Sequence, residues 1–333
     1  MKKILVALTV ILMMFPAGAF AAGLCCQLSS GVQESLLGVA SPESKRLSVQ
    51  LSYSLSVMDR FKEGSSSRSL DDLQMDGRYS LLPTKMNMTK YTMTVGYGFS
   101  PRLSAFVSIP YIRNTMDMAM QMGMMWKISK MDSIQELGDV TLMGLYRIYT
   151  DFDVAPNNAL TVGLGVKTPT GSSTVKGSSG KFIHAHMQPG TGSWDPLIAI
   201  VYARMMNPFL LQADATYQLA TRNSDGYRFG DSFTANLAGK YAVSRIFNIT
   251  GGLTFLHVNG SSDRDGKYTN LNSLMDDPAN TGGNSLWLSP GLQLLPSKGS
   301  LIDVKVQVPV WEHVKGVQLV SRYRILLGVS YSF

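Results

Sequence analysis

Residues 319–333, Leu-Val-Ser-Arg-Tyr-Arg-Ile-Leu-Leu-Gly-Val-Ser-Tyr-Ser-Phe, decide how the chain must be read. Every odd position except Ser321 is apolar or aromatic, from Leu319 through Tyr323, Ile325, Leu327 and Val329 to Tyr331 and Phe333. Arg322, Arg324, Gly328, Ser330 and Ser332 take even positions. Successive side chains of a strand point to opposite faces, so one face of this stretch suits lipid and the other water. A strand of a soluble sandwich carries the same alternation, and the rest of the chain has to separate the two. In lipid no sheet edge can stay unpaired, so further strands must close it into a barrel.

Eleven more stretches answer that requirement. Positions 46–57, 90–99, 103–111, 160–167, 209–218, 233–241, 247–255 and 302–310 alternate apolar with polar or glycine residues, and 194–202 and 286–294 join them. The stretch 140–148 is less regular, because Met143 and Leu145 share a side with Thr141 and Arg147. Spans of about 9–11 residues suit tilted membrane strands, and an even number suits a bacterial barrel. The turns around Pro101, Asn207-Pro208, Ser244-Arg245 and 297–299 are short, 151–158 is somewhat longer, and all fall at one end. At the other end 58–88, 113–138, 168–193, 222–231 and 260–284 are long and polar, and only 311–318 is brief. The expected fold is all-β: a transmembrane antiparallel barrel of about twelve strands with long extracellular loops. A final Phe333 with Tyr331 two positions earlier resembles the terminal strand of bacterial outer-membrane barrels. That resemblance implies a signal for the barrel-assembly machinery and residence in outer-membrane lipid.

The opposite end bears on compartment. Lys2 and Lys3 precede the apolar run 4–15, Pro16 breaks it, and Ala19-Phe20-Ala21 is a small-x-small cleavage pattern. This reads as a secretory signal over 1–21, too short to span a bilayer as a helix, followed by an N-terminal periplasmic segment or plug over 22–45 and the barrel over 46–333. Formal charge is +7, and without the two signal lysines 28 basic residues face 23 acidic ones. So mild an excess gives no nucleic-acid footprint. Cys25 and Cys26 are the only cysteines and are adjacent, which is not a disulfide framework, and Ala22-Gly23-Leu24 before them matches a lipobox poorly.

Three segments carry a family resemblance: Leu137-Gly138-Asp139-Val140, then 165–171 (Gly-Val-Lys-Thr-Pro-Thr-Gly), then 189–195 (Pro-Gly-Thr-Gly-Ser-Trp-Asp). They resemble the Gram-negative outer-membrane barrels grouped as the MetA-pathway of phenol degradation. The resemblance implies a channel-like protein with a link to aromatic compounds and supplies no catalytic residues. Physically, Pro169 cannot donate to a ladder and Gly171 permits positive φ, so the second segment reads as a strand ending at a loop.

Assigning faces strand by strand places Lys90, Arg102, Arg147, Lys167, Lys240, Lys305, Arg322 and Arg324 on the inner wall, opposed by Asp195, Asp214 and Asp303. An open pore so lined would favour anionic solutes; paired charges would instead plug a narrow barrel. Residues 116–125, Met-Asp-Met-Ala-Met-Gln-Met-Gly-Met-Met, set Met116, Met118, Met120, Met122 and Met124 on one face of an extended loop. Thioethers suit Cu(I), giving a copper-handling alternative that draws in Cys25, Cys26, His184, His186 and Met187. Methionine equally suits adaptable contact with apolar molecules, or plain packing. Of the four histidines, His257 ends a strand while His184, His186 and His313 fall in loops or at their edges. No Ser, His and acid set stands out, so the expectation is a non-enzymatic channel or transporter for small hydrophobic, aromatic or anionic solutes. Metal handling and a structural or interaction barrel are the alternatives.

Overall fold

The computed structural model describes residues 21–22, 24–27, 45–153, 156–177, 180 and 182–333. Twelve antiparallel strands close on themselves: β1 Leu47–Glu63, β2 Leu81–Gly98, β3 Leu103–Met122, β4 Thr141–Thr150, β5 Asn158–Lys167 and β6 Asp195–Met206 form the first half. The second half is β7 Phe209–Gln218, β8 Ser232–Ala242, β9 Phe247–Val258, β10, β11 Ser300–Val314 and β12 Val317–Ser332. β10 comes in two pieces, Gly283–Leu288 and Gly291–Leu294, parted at Ser289-Pro290, where proline has no N–H for the ladder. Closure is made by β12 against β1, in a ladder from Val317 opposite Glu63 to Ser332 opposite Ser48. All twelve expected strands are present, and the fold is that of an outer-membrane barrel.

β11 shows how the sequence enforces sidedness. Ile302, Val304, Val306, Val308 and Val310 stand exposed on the outside, whereas Asp303, Lys305 and Gln307 are buried within. Aromatic pairs gather at the short-turn end, where water meets hydrocarbon: Tyr97 with Phe99 at 5.1 Å, Phe209 with Tyr241 at 5.0 Å and Tyr331 with Phe333 at 4.8 Å between ring centroids. Such a girdle marks a membrane interface.

The wall has two heights. β4, β5 and β7 are 10 residues long, about what one crossing needs, but β1, β2 and β3 have 17, 18 and 20. Together with β11 and β12 they make a tall wall that continues beyond the bilayer. The stretches 58–88 and 113–138, expected as loops, are therefore strand for much of their length. β3 pairs with β4 only as far as Ser108; its distal half pairs with Ile134–Leu137 and with Met125–Lys130, which folds back on it. Between β1 and β2 a short helix, α1 Leu70–Asp76, starts at a capping box made by Ser69 and Asp72 and ends at left-handed Gly77. Its Leu73 is buried toward the barrel mouth.

Residues 1–20 and 28–44 lie outside the described residues, as do the side chains of Cys25 and Cys26. The backbone of the short strand Leu24–Gln27 runs beside β12, the first piece of β10 and the turn Ala185–Met187.

Candidate functional site

The three motif segments meet at the long-loop rim of the short wall. Lys167, the last residue of β5, places its Nζ 2.6 Å from Asp195 Oδ2 and 3.2 Å from Asp139 Oδ2, with all three side chains out of solvent. Asp139 also accepts from the Gly171 N–H at 3.0 Å and from the Thr191 N–H and hydroxyl at 2.8 Å each. Asp195 accepts from the Thr221 N–H at 2.8 Å and the Gln218 amide at 3.2 Å. One cation and two carboxylates buried together hold only if their remaining capacity is filled, and these backbone donors fill it. Gly171 and Gly190 are required because the two backbones touch: a side chain on Gly190 would collide with the Gly171 carbonyl. The motif is thus a polar clasp. It binds the base of the β5–β6 connection to the start of β4.

Above the clasp that connection turns inward as a cap. Gln188 ties its two arms, accepting from the Val175 N–H at 2.9 Å and donating to the Val175 carbonyl at 3.0 Å. At its tip the turn Ala185–Met187 reaches across to β3, where Asn114 donates to the Met187 carbonyl at 3.4 Å. His184 hydrogen-bonds Asp276 of the β9–β10 connection. His186 is buried against Phe229 and Tyr227, its Nε2 lying 3.2 Å from the Tyr227 hydroxyl. Burial, aided by His184, lowers the His186 pKa to about 3, so this imidazole stays neutral at ordinary pH.

Beneath the cap the inner face of the tall wall changes character. At bilayer height it is polar, with Ser54, Ser56, Lys90, Thr92 and Thr94 inside. Further out it carries Met58, Phe61, Met86, Met88, Met116 and Met118, packed with Leu319, Val317, Ile183, Met187 and Met275 into one buried cluster. Met58 stands directly opposite Met86, and Met86 directly opposite Met116, on neighbouring strands. This corrects the reading of the methionine run as a loop with one uniform face. Met116 and Met118 point into the chamber, Met120 is half-buried, and Met122 and Met124 are exposed at the β3 turn. Leu319, expected on the lipid face, is buried in the same cluster.

A cavity of about 950 Å³ opens above the cluster. Its floor is Met131, Ile134, Ile183 and Met187, and its sides include Lys130, Lys176, Lys267, Tyr268 and the His184–Asp276 pair. Phe182 stacks on Tyr268 at 5.3 Å, and the Lys176 ammonium lies 5.6 Å over the Phe182 ring. That volume suits a small organic molecule. Among the described residues no group of three His, Cys, Asp or Glu side chains is placed to hold a metal ion.

Six of the eight basic residues expected on the inner wall are there: Lys90, Arg147, Lys167, Lys240, Lys305 and Arg324 are buried inside the barrel. Arg102 is not, lying half exposed in the β2–β3 turn, 3.6 Å from Asp153. Arg322 is not either, because a bulge around Ser321 throws it outward, where it pairs with Asp59 at 3.0 Å. Lys305 sits 3.5 Å from Asp303, and the Arg324 guanidinium lies over the Trp287 ring at 3.9 Å. Asp214 accepts from Gln212 at 2.8 Å and Asn236 at 2.7 Å. Two of the six interior cations, Lys167 and Lys305, are thus ion-paired in place. Sequence reasoning had Asp139 and Thr191 only as members of separate motifs, and it missed Asp276 and the methionines Met58, Met86, Met88 and Met275. The pairs Met86-x-Met88 and Met116-x-Met118, mirrored across one hairpin, were the available signal.

The family described as "Putative MetA-pathway of phenol degradation" matches residues 84–319. The chain belongs to this family. The matched region of this MetA-pathway family barrel takes in the clasp, the cap and the part of the methionine chamber from Met86 to Leu319, whereas Met58 and Phe61 precede it. No curated protein matches in sequence. Among solved structures, the COG4313 outer membrane channel from Pseudomonas putida F1 superposes with a TM-score of 0.56 at 13% identity, covering 87% of this chain and 96% of that one. At that identity the likeness establishes the fold alone. A Pseudomonas aeruginosa FadL homologue (TM-score 0.41, 8% identity, 96% and 99% covered) and the KdgM porin (0.39, 11%, 85% and 99%) are more distant barrels, and nothing is argued from them.

Proposed function

We propose that this protein is an outer-membrane channel through which small, weakly polar organic molecules enter from outside. The observation that supports the reading is the mouth: an organic-sized cavity whose floor, Met131, Ile134, Ile183 and Met187, rests on a methionine-rich cluster set above a polar lumen. Methionine has several rotatable bonds and a polarizable sulfur, so this floor can reshape around varied apolar solutes while resisting free flow of water and ions. Three lysines at the rim would draw solutes that carry some negative charge. Inside, Lys90, Arg147, Lys240 and Arg324 extend the same preference, and Lys167, held by two carboxylates, contributes to the clasp instead. Export by a signal over 1–21, and a segment over 22–45 that enters the barrel, belong to this reading; the placement of Leu24–Gln27 beside β12 and the cap supports the second.

Flux into proteoliposomes tests it. Small aromatic solutes should enter faster than disaccharides, and Met187→Trp, which fills the floor, should slow them. A barrel shown to be folded by its heat-shifted gel mobility, yet no leakier than protein-free vesicles to any solute, would sink the proposal.

A further inference from the structure

The methionine chamber has a second property that organic solute passage does not require. Seven of its 17 buried residues are methionine, against one of the sixteen in the four other buried clusters. Leucine would pack an apolar plug as well, and the lipid face of this barrel is indeed built largely from Leu, Val, Ile and Tyr. The arrangement is also specific. Met86 stands between Met58 and Met116 on the middle of three adjacent strands, directly opposite each of them, and directly opposed Cβ atoms are about 4.5–5.5 Å apart. Three long thioether side chains rooted so closely can bring their sulfurs to one point. Met88 and Met118, two residues further along the same strands, and Met187 on the cap lie in the same cluster.

We propose that this chamber is a site for one soft monovalent cation, Cu(I), held by the thioethers of Met58, Met86 and Met116. Neutral sulfur donors select such an ion. Cu(I) accepts thioether ligands, whereas harder divalent ions favour imidazole or carboxylate groups. The described residues gather no His, Cys, Asp or Glu cluster of that kind. The chamber is shielded from water, which favours a weakly hydrated ion over a strongly hydrated one. The site differs from the exposed run Met122, Met124 and Met125, which protrudes into solvent.

Protein extracted from outer membranes into detergent would be titrated under reducing conditions with Cu(I) against a chromophoric chelator, and separately with Ag(I). The background should be Cys25→Ser/Cys26→Ser, so that only thioethers are read. One equivalent should bind, and Met58→Leu/Met86→Leu/Met116→Leu should weaken it by about 100-fold. Changing Met122, Met124 and Met125 to Leu should leave the affinity unchanged. Leucine conserves volume, so folding should survive. X-ray absorption of the Cu(I)-loaded parent gives a readout that needs no variant: sulfur neighbours are expected, and oxygen or nitrogen neighbours alone would overturn the site. Equal affinity in the chamber variant, or binding abolished by the turn variant, would overturn it too.

Discussion

The tall wall, β11 through β3, and the short wall, β4 through β9, are made of the same antiparallel ladder and held at their outer ends in opposite ways. The short wall stops where the bilayer stops, and its rim is fastened by charge: Lys167 between Asp139 and Asp195, with glycines letting the backbones touch. The tall wall runs on, and its extension is held by apolar burial over methionine, phenylalanine and leucine. Charge fixes a geometry, because each donor and acceptor must be matched. Thioether packing tolerates many geometries. The molecule therefore has a stiff hinge line on one side of its mouth and a compliant floor on the other.

Breaking the clasp should cost the most. Lys167→Met would leave two buried carboxylates without their cation, a loss of about 3–5 kcal/mol. A lowered midpoint in urea unfolding, with release of the cap to protease, would be the readout. On the compliant side Met116→Ala should cost less, about 2–3 kcal/mol, because the chamber can partly collapse. Met124→Ala, eight residues on and fully exposed, should move stability by no more than about 0.5 kcal/mol. Equal losses at the two methionines would erase the distinction between chamber and turn.

Acid gives a smaller, graded test of the cap itself. His186 has a folded pKa of about 3, below its value in an open cap near the usual 6.5. The open form thus binds the proton more readily, so closure is unaffected above about pH 6.5 and weakens as pH falls from there toward 3. Protection factors across 182–188, which remove the intrinsic pH dependence of exchange, should fall over that window, and His186→Phe should abolish that fall. The smallest expected effect is on selectivity: Lys240→Glu should shift the reversal potential toward cations, and Arg322→Glu should not, since the bulge turns Arg322 outward.

How much of this was legible follows from the same contrast. Where one face meets lipid and the other a polar lumen, as along β7 or β11, alternation survives in the sequence and the strand can be read directly. Where the tall wall rises past the bilayer, Met58, Phe61, Met86 and Met118 make the inner face apolar too, the polar half of the pattern disappears, and strand reads as loop. β4 suffered the reverse confusion: Met143 and Leu145 point inward to pack with Phe106 and Leu197. The clasp was visible as three motifs but not as one object, since 28 positions separate Asp139 from Lys167 and only the fold joins them. A bulge, which moves one arginine across the wall, leaves no periodic trace.

The seam between β12 and β1 joins residues far apart in the chain: the Ser56 and Ser321 hydroxyls lie 2.8 Å apart though 265 positions separate them. Every other neighbouring pair of barrel strands is a hairpin that can assemble locally and early. The seam can form only after both of its strands have arrived, at the highest cost in loop closure. Until that moment the growing sheet has two long margins of unsatisfied amides, in a medium that offers them nothing. Timing thus becomes a structural requirement: this cylinder needs its margins sheltered until the final zip, and whatever shelters them must let go as the ring shuts.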